Sequence, residues 1–128
     1  MLDDADEQPG ETAPKSYFGR EVRVVYIEIT NFCNLSCLYC SRNKFGHKRE
    51  AQYMKLDTFE RIIKMFPKHV IIGLYSGGEP LSHPDFPEFV KLAHRRGFQT
   101  RIHTNGTLLT RELAEKIIEA GLTSIVFS

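Results

Sequence analysis

Net charge is nearly absent from this chain. Its 17 Lys and Arg stand against 16 Asp and Glu, a formal +1, so no whole-protein field draws nucleic acid or an anionic membrane. Long apolar runs are missing too: none approaches the roughly 18–20 residues needed to cross a bilayer. The start, Met1 to Gly10, is acidic and has no apolar stretch, which excludes a secretory signal there. No sequence repeat with a period of roughly 20–50 residues is evident. Cysteine is scarce, three in 128 residues, and an odd count argues against a disulfide framework. What is present is ordinary for a soluble globular protein, 41% apolar and 26% charged residues, and a reducing cytoplasm is the expected location. The length suits one domain that buries about two-thirds of its unfolded surface.

The three cysteines are concentrated. Cys33, Cys37 and Cys40 lie within eight positions, in Asn31-Phe32-Cys33-Asn34-Leu35-Ser36-Cys37-Leu38-Tyr39-Cys40. Three thiolates can hold three irons of a cubane iron–sulfur cluster and leave the fourth iron open to a substrate. A cluster that only carries electrons usually has four cysteine ligands. Two other readings compete. His47 could complete a Cys3His zinc site, or the thiols could be small buried apolar groups.

Around the cysteines the chain alternates strand and helix patterns. Residues 1–18 are rich in Asp, Glu, Pro and Thr without periodicity and read as a flexible leader. Residues 22–30 read as a strand running into the cysteine loop. Asp57-Thr58-Phe59-Glu60 has the form of a capping box that opens a helix with Phe59, Ile62, Ile63 and Phe66 on one face. Residues 70–76 form a nearly continuous apolar run, as in a strand buried on both faces. Pro84 suits the first turn of the next helix, which buries Phe86, Phe89, Val90 and Ala93 and stops at Gly97. Residues 99–104 are a third strand. Thr110 caps a helix with Leu113, Ala114, Ile117 and Ile118 inward and Gly121 as its stop. Residues 124–128 begin a fourth strand, which would present an apolar edge at Ile125-Val126-Phe127. Phe18, Tyr26 and Tyr75 are expected as core aromatics.

This order predicts an α/β partial barrel of parallel strands, TIM-like, with about four strands and three helices. In such sheets chemistry collects beyond the carboxyl ends of the strands. Three loops open there: the cysteine loop, Gly77-Gly78-Glu79-Pro80, and Thr104-Asn105-Gly106.

The C-x3-C-x2-C spacing of Cys33, Cys37 and Cys40, with Tyr39 before the third cysteine and Gly77-Gly78-Glu79-Pro80 one strand–helix unit later, resembles the radical S-adenosylmethionine (radical SAM) superfamily. The resemblance covers about residues 22–128 and is nearest the branch that modifies peptides or matures cofactors. It implies a 4Fe–4S cluster on the three cysteines and S-adenosylmethionine chelating the open iron. Reductive cleavage would then give a 5′-deoxyadenosyl radical that takes hydrogen from a substrate, an oxidoreductase-like chemistry whose hard step belongs to the cofactor. By position, Gly77, Gly78 and Glu79 would meet the methionine ammonium, Tyr39 the adenine, and Ser128 the ribose or carboxylate. Thr104 and Asn105 would line the pocket, although Asn-Gly is also a common turn pair. The resemblance further implies an electron donor such as flavodoxin or ferredoxin and a substrate class that includes peptides. Barrels of the family usually have about six strands, so residues 19–128 read as the N-terminal part of a core domain cut within its fourth strand. The alternatives are a non-catalytic zinc or iron–sulfur module and an inactive truncated domain that binds a partner.

Overall fold

The computed structural model describes residues 16–17, 20–44 and 50–128. Four strands form one parallel sheet in chain order: β3 (Val24–Tyr26), β4 (Ile71–Gly73), β5 (Gln99–Thr104) and β6 (Ser124–Phe127). Before it, β1 (Ser16–Tyr17) and β2 (Arg20–Glu21) make a small antiparallel ladder. Its first strand falls inside the stretch expected to be an unstructured leader. The helices are a single turn, α1 (Ser41–Lys44), followed by α2 (Leu56–Ile63), α3 (Phe86–Arg95) and α4 (Arg111–Ala120). An α/β sheet of four parallel strands with three full helices is the predicted architecture.

The helices cover one face of the sheet. Strand residues alternate between faces, and Ile72, Leu74, Ile102 and Ile29 are buried together with Phe59, Ile63, Phe86, Phe89, Val90 and Ala93 from the helices. Thr100 and Thr104 point to the same side and are buried as well. The opposite face takes Tyr26, Tyr75, Arg101 and His103. Tyr26 therefore is 58% exposed and not a core aromatic. Tyr75 is half-buried, and Phe18 lies outside the described residues.

Local signals succeed or fail by what competes for them. Thr110 Oγ1 accepts from Leu113 N at 3.1 Å and caps α4, and Gly121 ends it at φ +94°. Gly97, at φ +82°, follows α3 in the same way. The expected capping box does not form. α2 begins one residue before Asp57, so its N-cap is Lys55, which has no side-chain acceptor, and Glu60 turns to Arg96 and Lys64. In α3 it is Pro87, not Pro84, that occupies the first turn, after Asp85 as N-cap. Ile118 is 74% exposed rather than inward; Ile117 and Ala120 carry the buried stripe of α4.

Candidate functional site at the carboxyl rim

The three loops meet where the strands end, and Gly78 and Glu79 join them. Glu79 is only 3% exposed. One of its carboxylate oxygens accepts from Leu81 N at 3.1 Å and from the Thr104 hydroxyl; the other accepts from Asn105 N at 3.0 Å. Its own N–H donates to Phe32 O at 2.7 Å, which ties the glycine loop to the start of the cysteine loop. The approach is so close that a Cβ on Gly78 would lie 2.3 Å from Thr30 O and 2.6 Å from Phe32 O. Only glycine fits there. Gly77 N donates to Glu28 Oε1 at 3.0 Å.

The third loop is joined directly to the cysteine loop. Asn105 Nδ2 donates to Asn34 Oδ1 at 3.0 Å, and Asn34 Nδ2 donates to Thr107 Oγ1 at 2.8 Å. Thr107 returns to Asn105 Oδ1 through its N–H at 2.9 Å and its hydroxyl at 2.7 Å. Ser128 joins the same rim, its N–H donating to Thr104 O at 3.0 Å. At its base the cysteine loop is clamped to residues 50–54. Thr30 Oγ1 donates to Gln52 O at 2.8 Å, Gln52 N donates to Asn31 Oδ1 at 2.7 Å, and Met54 N donates to Ile29 O at 2.8 Å.

Glu79, Thr104, Asn105, Ser128, Gly77 and Gly78 are thus brought together. Tyr39 is not, standing 98% exposed beside exposed Leu38 in a turn of the cysteine loop. Cys33 and Cys40 are partly exposed thiols and Cys37 is exposed, with Cys40 N donating to Cys37 O at 3.1 Å. Among the described residues no three His, Cys, Asp or Glu side chains converge tightly enough for a single metal ion. In a cubane each thiolate meets a different iron, so its ligands stand wider than those of a mononuclear site. Three accessible cysteine sulfurs on one loop, based on an anchored rim, are the soft donors that such a cluster takes. His47, the zinc alternative's fourth ligand, lies outside the described residues.

Sequence reasoning missed Glu28, Asn34 and Thr107. A signal was available for two of them: Glu28 is an acid in an apolar strand, and Asn34 a polar residue between two ligand positions. Thr107 had none.

The sequence from residue 27 to residue 128 matches the Radical SAM superfamily. The chain belongs to the radical SAM superfamily. A tungsten-containing aldehyde ferredoxin oxidoreductase cofactor-modifying protein of Pyrococcus furiosus is 36% identical over 84% of this chain and 30% of its own length. A probable GTP 3′,8-cyclase of Methanocaldococcus jannaschii is 40% identical over 87% of this chain and 37% of its own. The fold matches a structure of BtrN in complex with AdoMet and 2-DOIA at a TM-score of 0.73 and 22% identity, over 84% of this chain and 46% of that one. This radical SAM chain therefore spans about a third of the length of the curated relatives it matches. No helix among the described residues is long and apolar enough to cross a membrane.

Proposed function

We propose that this chain is the N-terminal part of a radical SAM enzyme core. Cys33, Cys37 and Cys40 would hold a 4Fe–4S cluster, and the rim built on Gly77, Gly78 and Glu79 would receive S-adenosylmethionine. When bound, the pair supplies the reductive carbon–sulfur cleavage that yields a 5′-deoxyadenosyl radical. The protein's own part is position. What supports this reading is the joining of the three rim loops by Glu79, Asn34 and Asn105, which fixes the cysteine loop relative to the glycine loop.

Glu79 acts here by holding the loops. Its oxygens already accept from three protein donors, so the carbonyls around Gly77 and Gly78 are the better partners for an ammonium. Thr104, Asn105 and Ser128 would complete the same rim. Tyr39 would reach an adenine only after the turn that carries it closes inward. An electron donor of the flavodoxin or ferredoxin kind and a cytoplasmic setting follow from cluster chemistry in a reducing compartment. A peptide substrate rests on the family resemblance.

Anaerobic reconstitution with iron and sulfide tests the cluster. We expect one 4Fe–4S unit per chain, lost in each of Cys33→Ala, Cys37→Ala and Cys40→Ala. Stoichiometric zinc without iron uptake, lost in His47→Ala, would replace this reading with the zinc module.

A further inference from the structure

The sheet face turned away from the helices carries groups that the rim does not use. The Tyr75 and His103 rings stack, with centroids 4.1 Å apart and planes at 12°. Tyr26 meets Tyr75 edge-on at 5.1 Å and 68°, a favoured aromatic geometry. Gly73 makes room for this row, since a Cβ there would lie 2.7 Å from Tyr26 Cδ1. Three rings thereby form a row from β3, the segment after β4, and β5. Tyr26 and His103 are exposed and offer ring surface to a ligand. The Tyr75 phenol is held above its ordinary value by burial first and the Tyr26 phenol second, with Arg101 opposing. It stays protonated and neutral.

Arg101 stands in register with Gly73, beneath this row. Its Nε is buried and has no hydrogen-bond partner among the described residues. Nor does the guanidinium take part in an ion pair among them. The carboxylate on the same face, Glu28, is engaged with Gly77 N at the rim. A buried donor left unsatisfied is destabilising, and a guanidinium fork matches the two oxygens of a carboxylate or phosphate.

We infer that this face is a recognition shelf for a planar ring bearing an oxyanion. Arg101 binds the carboxylate or phosphate, and the exposed rings of Tyr26 and His103, held by Tyr75 between them, meet the ring. The inference rests on the proposed radical chemistry for its setting: Tyr75 lies two residues before Gly77, so a group on the shelf lies next to the rim.

The test is a titration of the whole chain, cluster-free and reconstituted, followed through the Arg101 Nε–H and His103 ring resonances. The probes are phenyl phosphate, benzoate, inorganic phosphate and benzamide. Phenyl phosphate and benzoate should saturate both signals, distinguishing phosphate from carboxylate preference by their ratio. Inorganic phosphate and benzamide should bind about tenfold more weakly or worse, each lacking one half of the recognition. R101Q should lower aromatic-anion affinity about tenfold, and Arg101→Lys should recover part of it. Equal binding by the parent chain and a folded R101Q overturns the shelf. If R101Q does not fold, the Arg101→Lys affinity ratio decides in its place. Displacement of phenyl phosphate by S-adenosylmethionine would assign this face to the cofactor and overturn it too. Cys33→Ala separates the two proposals, since it removes the cluster and leaves shelf binding unchanged.

Discussion

Glu79 shows what a single residue does at this rim. From the motif it reads as a ligand to a cofactor ammonium; in the fold it is a buried carboxylate with three internal donors. Glu79→Ala leaves Leu81 N, the Thr104 hydroxyl and Asn105 N without their acceptor. At about 1–3 kcal/mol for each unsatisfied buried group, the loss should be on the order of 3 kcal/mol or more, read as a fall in the urea midpoint. Asn34→Ala touches exposed bonds only. It should leave the unfolding free energy within about 0.5 kcal/mol of the parent while lowering the yield of reconstituted cluster. Gly78→Ala has no such mild outcome, because its Cβ would meet two backbone oxygens. The motif made Gly78 and Glu79 visible, yet the bond that joins the outer loops was not: Asn34 and Asn105 are 71 residues apart, and no local pattern links them.

At the scale of elements, legibility followed locality. Thr110 and Gly121 delimit α4 as expected because each acts on its own turn. Thr110→Ala should cost about 1 kcal/mol, the usual worth of an N-cap, in the same urea measurement. Asp57 and Glu60 had the spelling of a capping box, but Glu60 finds a stronger partner in Arg96, 36 residues on. That hydrogen bond is the main reason its carboxyl lies below the ordinary 4.5, with burial opposing it and Lys64 assisting. A carboxyl depressed in the folded state stabilises above its unfolded value, and the benefit is lost as pH falls through the folded one. Glu60→Gln should therefore lower stability near neutrality and flatten its decline below the ordinary value. With a third of each side chain exposed, the difference should stay under about 1 kcal/mol. Face assignment was harder than element type. The helical stripe of α4 includes Ile118 by spacing, yet Ile118 is exposed while Ile117 and Ala120 are buried. Tyr26 is aromatic and in a strand, yet alternation turns it to the face no helix covers.

For the whole molecule, parallel α/β order was readable because strand and helix patterns alternate with strong stops between them. The early β1–β2 ladder was not, since strands of two residues carry no periodicity. Among the described residues β6 pairs on one side only, with Ile125, Val126 and Phe127 exposed. An apolar edge of this kind invites pairing with another chain. The chain should associate with rising concentration in sedimentation velocity runs, and Val126→Lys should shift it toward monomer. The joined rim loops, the cysteine set and membership in the radical SAM superfamily are the grounds for the proposed cluster with one open iron. Electron paramagnetic resonance of the reduced, reconstituted chain, with and without S-adenosylmethionine, measures that directly. A cubane signal that changes on adding S-adenosylmethionine is the expected result. A signal indifferent to it, from a chain that has taken up its full complement of iron, would contradict an open iron at this rim.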